Sequence, residues 1–167
     1  ELDRRTRRST DFAVLVMRDE QKPAAREFFG TPLVFSVREA KGLEYPHIIL
    51  FNFISEERQA FSALIEGVSA AELEGELRYA RARDKSDKSL EAFKFFVNSL
   101  FVALTRAVNG AILIERDTSH PLLRLLGVER VADRVEVEAK ASSPEDWQRE
   151  AHRLELQGRQ EQADLIR

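Results

Sequence analysis

Phe12-Ala-Val-Leu-Val-Met17 is an almost unbroken apolar run, the pattern of a strand that is buried on both faces of a parallel sheet. Two further runs of this kind, at 32–37 and 47–53, follow along the chain. A helix is predicted between the first two runs, from Gln21 to Phe29, and Gly30 closes it. This alternation of strands and helices indicates an α/β fold with a parallel sheet.

Helical patterns dominate the next part of the chain. Ser69-Ala-Ala-Glu72 is a capping-box pattern that starts a helix ending near Arg83, and a charged loop follows up to Lys88. A long helix is predicted over 89–108, because its apolar residues recur at helical spacing and form one stripe. The stripe consists of Leu90, Phe93, Val97, Leu100, Phe101, Leu104 and Val108. Gly110 is expected to end this helix, with a buried strand at 111–115.

The composition limits the classes of protein to which this chain can belong. Of its 167 residues 43% are hydrophobic, which is enough for a folded core, and the absence of cysteine excludes disulfides. No apolar run approaches the roughly 18–20 residues of a membrane helix, and the polar, Arg-rich start argues against a signal peptide. We therefore expect a cytoplasmic protein with no membrane partner. A net charge of -3 restricts any nucleic-acid contact to a local surface.

Aromatic residues divide the chain into regions. All 11 phenylalanines lie between Phe12 and Phe101, so we place a core domain at 11–128. Residues 1–10 form a basic leader with four arginines, which is either a solvated leader or an arm that contacts phosphates. Residues 129–142 are predicted to be a linker that contains an edge strand.

A helical hairpin is predicted at 143–167. Ser143-Pro-Glu-Asp146 is a helix start, with a capping serine, a proline in the first turn and carboxylates at the positive end of the dipole. Gly158 separates this helix from a second, shorter one. The apolar stripe of the first helix consists of Trp147, Ala151 and Leu154. Either this face has no partner in the chain and begins a downstream helical domain, or the hairpin packs on the core.

Motifs of catalytic chemistry are absent from the sequence. There is no cysteine nucleophile, and His47, His120 and His152 have no metal-ligand spacing, so no metal site is predicted. The chain also contains no phosphate loop of the G-x-x-x-x-G-K-[ST] type, no G-x-G-x-x-G and no G-x-S-x-G elbow.

Two polar segments nevertheless stand next to apolar elements. Residues 36–44 follow the second strand, at the carboxyl edge where open α/β sheets bind ligands, and Gly42 permits a left-handed turn there. The alternative is a plain connection with a solvated ion pair. Arg106 follows the long helix, where it either complements the helix dipole or reaches a phosphate with its fork of donors.

Three segments, in this order, resemble the UvrD/Rep-type superfamily 1A DNA helicases. Ser36-Val-Arg-Glu-Ala-Lys-Gly-Leu-Glu-Tyr45 is similar to their motif V, usually T-[IV]-H-x-[AS]-K-G-L-E-[FW]. Leu100-Phe-Val-Ala-Leu-Thr-Arg-Ala107 is similar to their motif VI, usually L-x-Y-V-A-[LM]-T-R-A. The strand and helix over 12–29 resemble the segment that opens the second RecA-like domain, so the resemblance covers about residues 11–116.

Motif V also distinguishes between branches of the superfamily. Lys41-Gly-Leu-Glu44 is the form of the UvrD branch, whereas RecD-like helicases and the RNA helicases of the superfamily carry Gln-Gly there. The resemblance implies a RecA-like, mostly parallel sheet flanked by helices. It also implies an ATP-dependent motor that moves 3′ to 5′ on single-stranded DNA, in a setting such as DNA repair.

The resemblance assigns roles on the nucleotide side to three residues. Arg106 matches the arginine that reaches the ATP γ-phosphate, and it would act catalytically as an arginine finger. Gly42 matches the glycine whose backbone approaches the nucleotide, and Glu44 matches the glutamate that contacts its ribose. All three are therefore expected to bind nucleotide.

Four further residues receive roles in DNA binding and coupling. Ser36 takes the place of a threonine near the DNA backbone, and Arg38 that of a histidine that contacts a DNA phosphate. Lys41 and Thr105 are expected to couple the two sites.

Half of the family's active site has no counterpart in this sequence. Its Walker A lysine, its magnesium-binding carboxylates and its glutamine motif belong to a first RecA-like domain. The resemblance therefore implies that ATP and Mg²⁺ are held together with such a domain in cis, and that these 167 residues alone are inactive. The alternative is a non-catalytic RecA-like docking module for protein or nucleic acid, with the hairpin that carries Trp147 as the interface to a protein partner.

Overall fold

A four-stranded parallel sheet forms the centre of the protein. The computed structural model describes residues 2–69, 71, 88–128 and 138–167. The strands are β1 (Phe12–Val16), β2 (Val34–Ser36), β3 (Tyr45–Phe51) and β4 (Ala107–Ile114). Their order across the sheet is β2-β1-β3-β4, with every pair parallel. The predicted α/β fold with a parallel sheet is confirmed.

Helices lie on both sides of this sheet. A single 3₁₀ turn, Asp19–Gln21, precedes the second helix. In chain order the helices are α1 (Leu2–Thr6), α2 (Lys22–Phe28), α3 (Arg58–Leu64), α4 (Lys88–Leu104), α5 (Pro121–Leu125), α6 (Pro144–Leu156) and α7 (Gln160–Ile166).

The apolar run of β1 fills both sides of the sheet. Side chains of a strand alternate between its faces, so Ala13 and Leu15 enter one apolar cluster while Phe12, Val14 and Val16 enter the other. The first cluster, called here the main core, lies under α3 to α7. The second lies under α1 and α2. A central strand covered on both faces has no polar side, which explains the unbroken run.

The amino-terminal segment is part of the domain. Thr6 and Ser9 are buried, and Leu2 packs against the second apolar cluster. The carboxylate of Asp3 accepts a hydrogen bond from the Gly30 amide at 2.7 Å. The segment therefore packs on the domain through its apolar and small polar residues, while the side chains of Arg4, Arg7 and Arg8 are exposed.

The last strand begins earlier than its sequence predicts. α4 ends at Leu104 instead of 108, and Gly110 lies inside β4 opposite His47. Val108 continues the helical spacing of apolar residues, but parallel pairing with β3 starts already at Ala107. The backbone hydrogen bonds of this pairing outweigh a weak helical preference.

The apolar stripe of α4 is only partly buried. Leu100 and Ala103 enter the main core, whereas Val97 is 52% and Phe101 65% exposed. The exposed side chains line an open apolar groove between α3, α4 and α5, with a volume of about 340 Å³. The predicted stripe is therefore buried along its inner half and exposed along its outer half.

Two predicted elements lie outside the described residues. They are most of the helix expected from Ser69 to Arg83, with the charged loop after it, and the edge strand within 129–142.

The two C-terminal helices pack on the main core. α6 starts as predicted, because the Asp146 amide donates to the Ser143 hydroxyl and the Asp146 carboxylate accepts from the Ser143 amide at 2.8 Å. Leu154 of α6 and Ala163 of α7 are fully buried in the main core. The interpretation in which this face has no partner in the chain is wrong, and the alternative of packing on the core holds. Trp147 is half-buried against the same core.

This packing predicts different costs for two leucines of α6. Leu154→Ala leaves a cavity in the main core and should lower the free energy of unfolding by about 2–5 kcal/mol, measured by urea denaturation. Leu156→Ala is the matched control, because Leu156 is 76% exposed and its loss should cost less than about 0.5 kcal/mol. Similar costs for both variants would contradict the described packing.

Candidate functional site

Residues 37–44 run from one end of the parallel strands to the other, and we call these ends the carboxyl edge and the amino edge of the sheet. They leave the carboxyl end of β2 and enter the amino end of β3, and β1 lies between these two parallel strands. The connection therefore crosses the main-core face, where Ala40 and Leu43 are buried. We expected the whole segment at the carboxyl edge, and this is wrong. Only its start lies there, because a parallel crossover must return to the amino edge.

Ser36 holds the first turn of this connection. Its hydroxyl accepts from the Glu39 amide at 3.4 Å, and the Glu39 carboxylate accepts from the Ser36 amide at 2.9 Å. The Ala40 amide donates to the Ser36 carbonyl at 2.9 Å. Ser36 is only 1% exposed, so its hydroxyl serves the turn and does not reach the surface.

Two exposed cations follow Ser36. The Arg38 side chain is 82% exposed, and its guanidinium donates to the Asp19 carboxylate at 2.5 Å. Lys41 is also exposed, and within the described part of the chain its ammonium group makes no ion pair. Both lie on the outer surface of the turn, where a bound anion would meet them.

Gly42 provides the sharp bend before β3. Its φ is +84°, a conformation that side chains with a Cβ rarely adopt, and the space around it is open. The bend turns the next residue, Leu43, into the core and leaves Glu44 exposed at the amino edge of the sheet.

Arg106 joins this edge from the end of α4. Its guanidinium donates to the carbonyls of Leu43 and Val102, each at 3.1 Å, and to the Thr105 hydroxyl at 3.2 Å. The backbone carbonyl of Arg106 accepts from the Tyr45 amide at 3.0 Å. Two segments 63 positions apart in the sequence are thus joined on both sides of Glu44.

The charge of Arg106 meets only neutral acceptors. No carboxylate among the described residues pairs with its guanidinium, which is half-buried. Three neutral hydrogen bonds fix the direction of the side chain and leave its positive charge uncompensated. Such an arginine can stabilise a negatively charged group that approaches the amino edge of the sheet.

The C-terminal helices hold the same connection from outside. Arg159 donates to the carbonyls of Glu39 at 2.7 Å and Lys41 at 3.3 Å, and Arg153 donates to the Glu44 carbonyl at 3.3 Å. The sequence does not reveal these contacts, since any residue type supplies a carbonyl. The only available signal is the placement of both arginines near the break at Gly158.

A buried tyrosine lies beneath one of these arginines. The Tyr45 hydroxyl donates to Glu150 at 2.6 Å, and Arg153 binds the same carboxylate at 2.7 and 2.8 Å. The Arg153 guanidinium also lies 4.8 Å from the centre of the Tyr45 ring. Burial, and then the charge of Glu150, raise the pKa of Tyr45 well above its usual range.

An ion-pair network ties α7 to α2 and to the connection. The Lys22 ammonium binds Glu39 at 2.9 Å and Glu161 at 2.7 Å, and Arg26 binds Glu161 at 2.6 Å. The hydrogen bonds from Lys22 and Arg26 hold the pKa of Glu161 below its ordinary value. Burial opposes the charge of Lys22, but its bonds to Glu161 and Glu39 raise its pKa overall.

The described residues were also compared with the requirements of a metal site and of a membrane span. No group of three or more His, Cys, Asp and Glu side chains there could hold a metal ion. Within the same residues, no helix has both the length and the apolar character required to cross a membrane.

Comparison of the chain with protein-family models, with curated proteins and with solved structures gives no match.

The positive φ of Gly42 predicts a local cost of substitution. Gly42→Ala places a Cβ on a left-handed residue and should lower the free energy of unfolding by about 1–2 kcal/mol in urea denaturation. Gly30→Ala is the control, since its added Cβ would lie 3.5 Å from Arg7 Cδ, an ordinary contact. A cost-free Gly42→Ala would disprove the bend.

The network around Glu161 predicts a dependence on pH. Because folding lowers the pKa of Glu161, its contribution to stability is present above its ordinary value and disappears as the pH falls through the lowered one. Acidification from about pH 5 to about pH 3 should therefore destabilise the wild type more than Glu161→Gln. Solvent screening keeps the difference small, because Glu161 is half exposed.

Urea denaturation at several pH values measures this difference. Glu27→Gln is the control, because Glu27 is exposed and forms no ion pair within the described residues. Identical pH profiles for the wild type and Glu161→Gln would show that the ion pairs of Glu161 add no stability.

Proposed function

We propose that residues 11–128 form the second RecA-like domain of an ATP-dependent DNA helicase or translocase of the UvrD/Rep type. The observation that carries this proposal is the junction of the two helicase-like segments. Arg106 bonds to the Leu43 carbonyl, and the Tyr45 amide bonds to the Arg106 carbonyl. A motor domain of this type needs its motif V glutamate and its motif VI arginine at one edge of the sheet.

The nucleotide would lie against this amino edge. Arg106 has an uncompensated charge and a fixed direction, and it would neutralise charge that develops on the γ-phosphate. Glu44 is exposed next to it and would contact the ribose, while the backbone at Gly42 has no side chain to block approach. ATP with Mg²⁺ supplies the phosphoryl-transfer chemistry. The metal ligands and the phosphate loop would come from the first RecA-like domain.

Single-stranded DNA would be bound near the opposite, carboxyl edge. Arg38 is exposed there and would exchange its bond with Asp19 for one with a DNA phosphate. Ser36 would reach the DNA backbone only after its turn with Glu39 opens, because its hydroxyl is buried. Arg38 is therefore the stronger candidate for direct contact.

The connection 37–44 would couple the two sites. Its first residues lie at the DNA edge and its last residues at the nucleotide edge, and Lys41 is exposed between them. Closure of two motor domains on ATP would move this one connection at both of its ends. Thr105 would contribute by holding the Arg106 guanidinium through its hydroxyl.

A second candidate function is a non-catalytic RecA-like docking module. The open apolar groove beside Val97 and Phe101 favours it, because such surfaces commonly bind other proteins. The hairpin with Trp147 is less suited to this role, since its buried face already packs on the main core. The two functions differ in their need for a partner domain with a phosphate loop.

The helicase proposal predicts a large loss of activity from one substitution. In a protein that joins this chain to its first RecA-like domain, Arg106→Ala should reduce DNA-stimulated ATP hydrolysis by about 1,000-fold or more. The isolated chain should show no turnover. Arg116→Ala is the matched control, because Arg116 flanks the other end of β4, is exposed and pairs with Glu56.

Two results would contradict the proposal. One is ATP turnover by the 167-residue chain that Arg106→Ala abolishes, since a single domain would then form the whole site. The other is a normal rate of hydrolysis by the Arg106→Ala variant of the joined protein. Stimulation by RNA in place of DNA would reassign the substrate.

A further inference from the structure

The connection 37–44 has few hydrogen bonds of its own. The Ala40 amide bonds to the Ser36 carbonyl and the Leu43 amide to the Ala40 carbonyl, at 2.9 and 3.0 Å. Lys41 and Gly42, both exposed, lie within the turn that the second bond closes. A stretch with so little internal bonding takes its position from neighbouring elements.

Two arginines of the C-terminal helices supply that positioning. Arg159 bridges the carbonyls of Glu39 and Lys41, and Arg153 reaches the Glu44 carbonyl. We refer to Arg153 and Arg159 as the arginine clamp. Its bonds lie on both sides of Gly42, so they restrict where the bend can sit.

The two arginines of the clamp are themselves positioned by neighbouring side chains. Arg153 is fixed by both oxygens of Glu150, which is 8% exposed, and by the face of the Tyr45 ring. Arg159 stands at the start of α7, and Glu161 in the first turn of that helix binds Lys22, which also binds Glu39. The clamp therefore transmits the position of α6 and α7 to the connection.

Packing of the helices does not depend on the clamp. Leu154 and Ala163 already bury the pair in the main core, and the side-chain Nε2 of Gln162 donates to the Val34 carbonyl at 3.2 Å. Among the described residues, the guanidinium of Arg159 bonds to backbone carbonyls of the connection and to no other group. Its removal should loosen the connection and leave the sheet folded.

We propose that Arg159 and Arg153 are positioning residues, through which the C-terminal helix pair sets the placement of Gly42 and Glu44 for nucleotide binding. This inference rests on the proposed function, because it takes the amino edge of the sheet as the nucleotide site. It assigns a role to residues outside the segments that resemble helicase motifs. A ligand or domain that shifts α6 and α7 would thereby change the affinity for nucleotide.

Hydrogen exchange tests the clamp without any reference to activity. In the 167-residue chain, Arg159→Ala should speed the exchange of the Ala40 and Leu43 amides by about tenfold, the loss expected when charge-assisted bonds are removed. Amides of β1 and β3 should keep their wild-type rates. Arg149→Ala is the matched control, since Arg149 lies on α6 and, within the part of the chain that the structure describes, pairs with Asp146 alone. Unchanged exchange at Ala40 and Leu43 would overturn the inference.

Steady-state kinetics test the consequence for the nucleotide site. In the protein joined to its first RecA-like domain, Arg159→Ala should raise the KM for ATP by about tenfold with kcat nearly unchanged. Arg159→Lys, which keeps one donor to the carbonyls, should recover part of the loss. A merely structural role would lower kcat by reducing the folded fraction and would leave KM at its wild-type value.

The outcomes separate this inference from the proposed function. If the joined wild-type protein hydrolyses ATP and Arg159→Ala leaves KM unchanged, the positioning role is wrong and the helicase function stands. If the joined wild-type protein does not hydrolyse ATP, the proposed function is wrong, and so is the role of Arg153 and Arg159 in nucleotide binding. The exchange experiment then still decides whether the clamp holds the connection.

Discussion

Parallel pairing forces the chain to cross the sheet between β2 and β3. These strands run in the same direction with β1 between them, so residues 37–44 must travel from the carboxyl edge to the amino edge over the main core. So short a crossover has no room for a long helix. It is held by buried Ala40 and Leu43 and needs the left-handed bend at Gly42. The candidate site exists because this crossover exposes polar residues at both of its ends.

Much of the fold is predictable because buried elements have recognisable patterns of apolar residues in the sequence. The unbroken apolar run of β1 predicts a strand covered on both faces, and Ser143 predicts the start of α6. The start of β4 is not predictable, since Val108 fits a helical stripe equally well and only pairing with β3 decides. The exposed outer half of α4 escapes prediction for a similar reason. Spacing places apolar residues on one face but does not show what covers that face.

The candidate site is predictable only in part. The pattern of residues at 36–45 and 100–107 draws attention to Glu44 and Arg106, and the fold joins their segments through the Leu43 carbonyl. It also separates Ser36 from them, because the two edges of the sheet lie at opposite ends of the connection. Arg153 and Arg159 could not be found in this way. Both bond to backbone carbonyls of the connection, which every residue type provides, so no residue type within 37–44 indicates these contacts.

The position of Arg106 depends more on its hydrogen bonds to Leu43 and Tyr45 than on the packing of α4. The outer face of α4 is uncovered at Phe101, so packing of that face cannot fix the end of the helix. The direction of Arg106 instead depends on the Leu43 carbonyl and on the bond of its own carbonyl to Tyr45. Tyr45 in turn contacts Glu150 of α6 through its hydroxyl. A displacement of the C-terminal helices would thus reach the backbone of Arg106 through Glu150 and Tyr45.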